Sequence, residues 1–284
     1  MSDPLRQCPL LERDAPSLPL GYAPFPWRLR RCAATGFVFL ANPPPQDLLR
    51  ETFAWERTHE AESRRRRDSE PAVHAVSEAV KSFRRRVLKR DKMAVLGRQV
   101  AGGFQSGPIR IVDIGCAEGT LVERMFAGMP DDVADRVEPI GIEISDHLAA
   151  IADRMLAVRG GRCIHATGSD GLAMLEPETA RVIVLSCILE HEIEPLRLLR
   201  SCRERLAPDG RIIVKVPNYN SLNRFLRGRK WCGFRWPDHV NYFVPRTLRT
   251  AAAAADLEVV RMRLVDRLPI SDSLYAVLGR SSRA

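Results

Sequence analysis

From residue 109 onward, short apolar runs alternate with stretches of helical periodicity, and this alternation constrains the fold more than any other feature. Short apolar runs of this length, bounded by turn residues, predict buried strands. Repeated strand–helix units predict a parallel sheet with helices on both of its faces. The predicted strands are 109–114, 138–144, 162–166, 182–185 and 211–216, and the predicted helices are 120–127, 147–158 and 194–206.

The end of the chain has a different pattern. Residues 257–266 and 273–278 have the composition of two strands, and only the short segment 267–270 joins them. Because a parallel connection needs a crossover of a dozen residues or more, these two strands must pair antiparallel. The sequence therefore predicts an α/β fold in which a doubly wound sheet ends in a hairpin.

A glycine-containing turn follows the first predicted strand. The run DIGCAEG (113–119) leaves that strand and opens a helix, with Gly115 free to turn the chain sharply and Gly119 allowing close packing at the helix start. In a doubly wound sheet this turn lies at the carboxyl edge, where ligands bind. The spacing lacks the glycine triplet that seats a pyrophosphate, and Asp113 suits a ligand that carries an ammonium and a sulfonium. A structural turn without a ligand stays open as the alternative.

A second acidic residue stands at the end of the next strand. Glu143 follows an apolar run and lies a few tens of residues after the glycine turn. A carboxylate in that position can accept hydrogen bonds from both hydroxyls of a ribose. The alternative is a solvated loop carboxylate, which the apolar strand immediately before Glu143 makes less attractive.

These segments and three later ones resemble, in order, the motifs of class I S-adenosylmethionine-dependent methyltransferases. The runs are VDIGCAEGT (112–120), GIEIS (141–145), SCILEH (186–191), LAPDGR (206–211) and VPN (216–218). The nearest resemblance is to the group related to ubiquinone-biosynthesis O-methyltransferases, and it covers about residues 105–280. It implies a Rossmann-like, seven-stranded sheet whose last two strands form a hairpin, and S-adenosylmethionine as the methyl donor.

The same resemblance implies a set of cofactor-binding residues. Residues of the glycine turn would surround the methionine part, the end of the second strand would bind the ribose, an acidic residue would meet the adenine, and the end of the fourth strand would form the floor. In that order they are Asp113, Gly115, Cys116 and Gly119; Glu143 and Ile144; Asp170; and Ser186 and Cys187.

Two histidines are candidates for a catalytic base. A hydroxyl acceptor needs a base with a pKa near neutrality. His191 belongs to the Glu-His pair of the resembled family, where a structural or cofactor-side role is as plausible as catalysis. His239 lies in segment 236–243, which tends to cover the substrate in the resembled family. A packing or hydrogen-bonding role for His239 stays open.

The N-terminal part divides into a proline-rich segment, 1–46, and a basic helical region, 47–104, before the methyltransferase domain, 105–284. The surroundings of Cys8 and Cys32 resemble a small zinc ribbon. A closed zinc site needs four ligands, and Leu11 and Thr35 stand where the second cysteine of each pair would be. We therefore expect a degenerate strand module and no metal.

The net charge of +9 is concentrated in the N-terminal third, chiefly at 64–67 and 81–90. It predicts either a solvated helical face or attraction to an anionic partner, which could be a phosphorylated metabolite, an anionic lipid surface contacted peripherally, or RNA.

Segment 218–235 is basic and aromatic without an acidic residue, so it favours an anionic, ring-bearing acceptor. A solvated surface helix is the alternative there.

Three functions are therefore compared. Methyl transfer to a small molecule (a sugar, a lipid-linked intermediate or a phenol), and O-methylation in particular, is favoured. RNA methylation is less favoured because the chain has no recognisable RNA-binding module, and a non-catalytic binding protein of the same fold is the third alternative.

With no apolar run long enough to cross a bilayer and seven scattered cysteines, we expect a soluble cytoplasmic protein with reduced thiols.

Overall fold

The computed structural model describes residues 5–11, 13–45 and 91–282. The helices predicted within 47–90 lie outside the described residues. The strands are β1 (Ser17–Leu20), β2 (Leu29–Cys32), β3 (Val38–Leu40), β4 (Ile109–Ile114), β5 (Val137–Glu143), β6 (Arg162–His165), β7 (Ala180–Ser186), β8 (Leu206–Pro217), β9 (Asn241–Tyr242), β10 (Leu257–Arg261) and β11 (Ser273–Arg280).

The helices of the described residues mostly connect these strands. They are α1 (Lys92–Ala101), α2 (Thr120–Phe126), α3 (Asp131–Ala134), α4 (Asp146–Ala157), α5 (Gly168–Ala173), α6 (Pro195–Arg205), α7 (Leu222–Arg227) and α8 (Pro245–Ala254), with short 3₁₀ turns at Gly228–Lys230 and Leu264–Asp266. Within the described part of the chain, no helix combines the length and the apolar character needed to cross a membrane.

The larger sheet has seven strands in the order β10-β11-β8-β7-β4-β5-β6. The five strands from β8 to β6 are parallel, whereas β11 pairs antiparallel with both β8 and β10. The order reverses beside β4, so the glycine turn that follows β4 lies at the switch point where such sheets bind ligands. The predicted α/β fold, with its doubly wound seven-stranded sheet and terminal hairpin, is confirmed.

Alternate residues of the central strands point into two separate cores, as the pleat requires. On one side, Val112 and Ile183 belong to the larger cluster, which includes apolar residues of α6 and α8. On the other side, Ile111 and Val182 belong to a second cluster with residues of α1 and α2. The sheet is therefore covered on both faces, and the carboxyl ends of its strands stay accessible.

Some element bounds differ from the prediction. Strand β8 begins at Leu206, where a strand was expected only from 211, because residues just after α6 already pair with β7 before a register shift. Strand β10 ends at Arg261 and not near 266, because Leu264–Asp266 turns back as a 3₁₀ helix. The buried carboxylate of Asp266 there pairs with Lys92 at 2.9 Å.

Helix α1 packs into the second core, through Met93, Ala94 and Leu96. Its first turn is capped by Asp91, whose carboxylate accepts hydrogen bonds from the amides of Met93 and Ala94. The packed unit thus includes a helix upstream of residue 105, where the sequence placed the start of the methyltransferase domain.

The N-terminal strands form a second sheet, in the order β1-β2-β3-β9, with all pairs antiparallel. Through the β3–β9 pairing, Val38 lies opposite Tyr242, so this N-terminal module is joined to the segment that follows β8. The two cysteines of the degenerate ribbon are buried, and the Cys8 Sγ lies 3.5 Å from the Thr35 hydroxyl. All seven cysteines are free thiols.

Candidate active site

A cavity of about 520 Å³ opens at the carboxyl ends of β4, β5, β7 and β8. Eight of the residues singled out from the sequence line it, whereas Gly119, Asp170 and His239 do not. The eight are Asp113, Gly115, Cys116, Glu143, Ile144, Ser186, Cys187 and His191.

The turn after β4 shapes one wall of this cavity. Gly115 has a φ of +67°, and a Cβ at this position would overlap the side chain of Ile188. Its amide donates a hydrogen bond of 2.7 Å to the carbonyl of Ile142 on the neighbouring strand. Gly119, with a φ of +80°, starts α2. Gly115 therefore leaves room for the side chain of Ile188 in this wall, and α2 begins directly after Gly119.

The side chain of Asp113 is buried in this wall, with 2% of its surface exposed. Within the described ranges of the chain, its Oδ2 atom has no hydrogen-bond partner. Burial, with a further contribution from the charge of Glu143, raises the pKa of Asp113 to about 7. An ammonium or sulfonium group bound beside Asp113 would add positive charge and favour its ionised form.

Glu143 is fixed by the backbone at the end of β5. Its carboxylate accepts hydrogen bonds from the amides of Ala117 at 2.9 Å, Ile144 at 2.9 Å and Ser145 at 3.0 Å. An ionised carboxylate has about four lone-pair sites, so capacity is left for hydroxyl donors. The carboxylate is therefore held in place to accept hydrogen bonds from a diol.

Asp170, which was expected to meet the adenine, is exposed and does not line the cavity. It accepts a hydrogen bond of 2.7 Å from the hydroxyl of Thr167, and that threonine caps α5. Thr167, together with Ala166 and Gly168, lines the cavity itself. The contact of Asp170 with the adenine stays a prediction, and its hydrogen-bond partner Thr167 is the residue that lines the cavity.

The floor is formed where β7 and β8 end. Cys187 has a φ of +64°, and its amide donates a hydrogen bond of 2.9 Å to the carbonyl of Lys215. Burial, with the nearby charge of Glu190, raises the pKa of the Cys187 thiol to about 11, so this group stays protonated at neutral pH.

His191 enters the cavity wall paired with a carboxylate. Its Nδ1 atom lies 2.8 Å from Oδ1 of Asp238, and Arg235 pairs with the other oxygen of Asp238 at 3.0 Å. Although burial opposes it, Asp238 raises the pKa of His191 above its usual 6.5. Burial alone would raise the pKa of Asp238, but the charge of His191 outweighs it and the pKa falls to about 2. The carboxylate therefore orients the ring and leaves Nε2 for a further contact.

His239 lies behind His191, and the two rings meet edge to face with centroids 4.7 Å apart. It is 5% exposed, and its Nδ1 is 2.8 Å from the carbonyl of Gly233. Burial and the neighbouring His191 lower the pKa of His239 to about 3. A neutral, enclosed ring of this kind supports its neighbours, and it has no place in the cavity lining.

Among the described residues, Glu190, His191 and His239 each place one metal-capable atom within 4.8 Å of the others. Glu190 is 1% exposed, and its Oε2 has no hydrogen-bond partner. Burial raises the pKa of Glu190, which favours a protonated carboxyl in place of an anionic ligand. The sequence-based expectation of no metal stays a prediction.

Several lining residues were not identified from the sequence. Asp238 directly precedes His239 in the sequence, but nothing in the neighbouring residues shows that its carboxylate pairs with His191. Arg124 and Asp91 line the cavity as an ion pair of 2.7 Å between α2 and the start of α1. Lys215, on β8, follows from strand alternation only once the sheet order is known.

The cavity fits S-adenosylmethionine in two of its features. Buried Asp113 lines the cavity beside the glycine turn, where it would bind the cationic amino-acid part of the donor. The backbone-held carboxylate of Glu143 would accept the ribose hydroxyls. Thr167 would lie beside the adenine.

Comparisons with known proteins agree with this geometry. A family model described as a methyltransferase domain matches residues 80–262. Ubiquinone biosynthesis O-methyltransferases from Cupriavidus pinatubonensis and Burkholderia orbicola are 27% and 26% identical, over 57% of this chain in each case. The chain spans 65% of the length of the first relative and 69% of the second.

The fold is also found in a solved structure from Burkholderia thailandensis, 1,6-didemethyltoxoflavin-N1-methyltransferase with bound S-adenosylhomocysteine. The superposition has a TM-score of 0.54 at 13% identity, and it covers 93% of this chain and 99% of the other. With a family model that spans most of the chain, the enzyme class and the cofactor expected from the sequence are both confirmed. The chain belongs to the methyltransferase domain family, as a class I S-adenosylmethionine-dependent methyltransferase.

Proposed function

We propose that this protein transfers a methyl group to a hydroxyl of a small-molecule acceptor, with His191 as the base and Asp238 as its positioning residue. One observation carries the proposal. The Nδ1 atom of His191 lies 2.8 Å from Asp238 Oδ1 in the wall of the cavity that also contains Asp113 and Glu143.

S-adenosylmethionine, when bound, supplies a methyl group that its sulfonium already makes electrophilic. The residues of the chain have to align the acceptor and accept its proton. Nε2 of His191 would take the hydroxyl proton, and the carboxylate of Asp238 would stabilise the imidazolium that forms. His239, enclosed behind His191, would hold the ring in place.

The named relatives support a hydroxyl acceptor. Both are O-methyltransferases of ubiquinone biosynthesis, and we extend that reaction type, though not the substrate, to this chain. The basic and aromatic character of 218–235 supports an acceptor with an anionic group and a ring. We also propose that the reaction takes place in the cytoplasm.

A methyl-transfer assay tests the proposal. The full chain is incubated with donor labelled in its methyl group and with phenols, sugars, lipid extracts or RNA from the source cell. His191→Ala and His191→Gln are compared with His147→Ala, which changes an exposed histidine outside the cavity. We expect the two His191 variants to lose about 10²–10⁴-fold in turnover, and the His147 variant to match the unmodified chain.

Donor binding is measured on the same variants by calorimetry. We expect the dissociation constant for S-adenosylmethionine to be unchanged in the His191 variants, because Asp113 and Glu143 remain. Unaltered turnover in both His191 variants would remove that residue from the mechanism. Activity confined to RNA would instead support the nucleic-acid alternative, and a chain that does not bind the donor would support the non-catalytic one.

A further inference from the structure

A second cavity, of about 300 Å³, lies between the N-terminal module and the segment that follows β8. It shares no lining residue with the cavity that contains Asp113. Its lining combines arginines with aromatic side chains, and none of the described residues that line it is acidic. The lining residues used below are Arg31, Gly36, Arg224, Phe225, Tyr242 and Arg246.

Positive charge is concentrated around this cavity. Arg31 comes from β2, Arg224 from α7 and Arg246 from the first turn of α8. In the part of the chain that the structure describes, none of the three forms an ion pair with a carboxylate. Arg224 is only 6% exposed, and a buried guanidinium without an anionic partner is costly. The cavity therefore offers the counter-charge that an anion needs.

Arg224 is held rigidly. Its guanidinium lies 4.2 Å from the ring centroid of Tyr219 and 4.0 Å from that of Phe225. Its Nε atom also donates a hydrogen bond to the carbonyl of Tyr219. A planar guanidinium that is held by two aromatic rings and by one N–H group keeps its other N–H groups to donate to an oxyanion. Because the side chain is already ordered, it loses little conformational entropy on binding.

A buried hydroxyl adds an unused polar group to the same lining. Tyr242 is 2% exposed, and its hydroxyl has no hydrogen-bond partner among the residues that the structure describes. Val244, the residue before α8, also lines the cavity, so the positive end of this helix dipole lies at the wall. An oxyanion bound beside Val244 would interact favourably with this end of the helix.

The N-terminal module shapes this site through a glycine. Gly36 has a φ of +71°, and a Cβ there would overlap the guanidinium of Arg246. Nη2 of Arg246 donates a hydrogen bond of 2.9 Å to the carbonyl of Thr35. The turn of the degenerate ribbon thus makes room for Arg246 and holds it.

We propose that this cavity binds an oxyanion, a phosphate or carboxylate group, on a ligand whose ring or apolar part contacts Phe225, which is 61% exposed. The site is additional to the methyl-transfer cavity and does not depend on the base assigned there. The anion is either part of the acceptor or a separate ligand. The N-terminal module then forms one wall of a binding site, without any metal.

Calorimetry on the full chain tests the site, with inorganic phosphate, phenyl phosphate and the uncharged phenol as probes. We expect both phosphates to bind, phenyl phosphate more tightly, and phenol not to compete. The double variant R31Q/R246Q changes two exposed residues and should weaken phenyl phosphate binding by about tenfold or more, since each loses a charged hydrogen bond. Arg249→Gln, which removes an exposed charge from the same helix outside the cavity, should change binding less than about twofold.

A third variant, Tyr242→Phe, removes the unpartnered hydroxyl without a change of charge, and we expect weaker phosphate binding with an unchanged melting temperature.

The source of the anion follows from turnover assays with added phosphate. A rise in KM at constant kcat assigns the site to the acceptor, whereas unchanged kinetics assign it to a separate anion. Absence of phosphate binding, or equal binding by R31Q/R246Q and the unmodified chain, would overturn the proposal.

Discussion

Nδ1 of His191 and Oδ1 of Asp238 lie 2.8 Å apart, although the two residues are 47 positions apart in the sequence. His191 follows β7, and Asp238 belongs to the irregular segment between β8 and β9. Their pairing places a negative charge behind the only histidine among the described residues that lines the cavity. The consequence is a ring whose protonation and tautomer are set by a distant part of the chain.

The first prediction concerns the pH dependence of this pair. A base works when it is unprotonated, so turnover should fall as the pH drops through the pKa of His191, which Asp238 raises above 6.5 against the effect of burial. Asp238→Asn removes that charge, so burial weighs more heavily, the pKa of His191 falls and the acidic limb moves to lower pH. The plateau of kcat should also fall at least about tenfold. Asp209→Asn, an exposed matched change, should leave the profile unchanged, and an unshifted limb in the Asp238 variant would contradict the positioning role.

Asp113 gives a prediction about donor binding. Its pKa is about 7, so binding of a cationic donor to the ionised form should weaken as pH falls below 7, by at most about tenfold per pH unit for one linked proton. Asp113→Asn should weaken S-adenosylmethionine binding by about 10–100-fold, the loss of one charged hydrogen bond, and should abolish the pH dependence. Calorimetry across pH 5–8 measures both effects.

The same substitution should stabilise the protein without donor. A carboxyl whose pKa is raised on folding keeps its proton in the folded state while the unfolded chain loses it, so its contribution to stability declines as pH rises from about 4 to 7. Asparagine has no such penalty. The melting temperature of Asp113→Asn should exceed that of the unmodified chain, by more at pH 8 than at pH 5. A lower melting temperature at pH 8 would show that the buried charge is compensated.

Two glycines with similar backbone angles separate strain from ligand binding. Gly115→Ala places a residue at φ +67° and drives a Cβ into Ile188, whereas Gly160→Ala meets φ +71° with nothing within 4 Å of the added atom. Both variants should lose about 1 kcal/mol of unfolding free energy or more. The affinity for S-adenosylmethionine should fall only in Gly115→Ala. Equal affinities in the two variants would remove the glycine turn from the binding site.

The expectation of no metal is tested by removal. Dialysis of the full chain against a chelator should leave turnover unchanged, because the proposed reaction needs only the sulfonium donor and a base. Lost activity that returns with zinc or magnesium would instead show that Glu190, His191 and His239, whose ligand atoms lie within 4.8 Å of one another, hold an ion.

Local pattern was sufficient for the large sheet and for part of the site. Strand and helix periodicities report which side chains face a core, so the strand–helix alternation predicted the sheet closely, with errors at Leu206 and Arg261 where turns and bulges decide the bounds. Asp113 and Glu143 could be found because each follows a strand directly, and the carboxyl ends of neighbouring parallel strands meet at one edge.

The choice between two histidines could not be made in that way. His191 and His239 have similar local settings, and only the fold shows that one lines the cavity while the other is enclosed behind it. Local sequence also did not reveal that Thr167 lines the cavity while Asp170, its hydrogen-bond partner, does not.

By itself the sequence determined the architecture of the large sheet and that Asp113 and Glu143 would lie at its carboxyl edge, because these depend on periodicity and on residues adjacent to strand ends. Only the tertiary structure decided the His191–Asp238 pair, the joining of the N-terminal module to β9, and the cluster of Arg31, Arg224 and Arg246. Each of these brings together side chains from segments far apart in the chain, several of them irregular loops. No local repeat encodes such contacts, because their energy arises only when distant segments pack against one another.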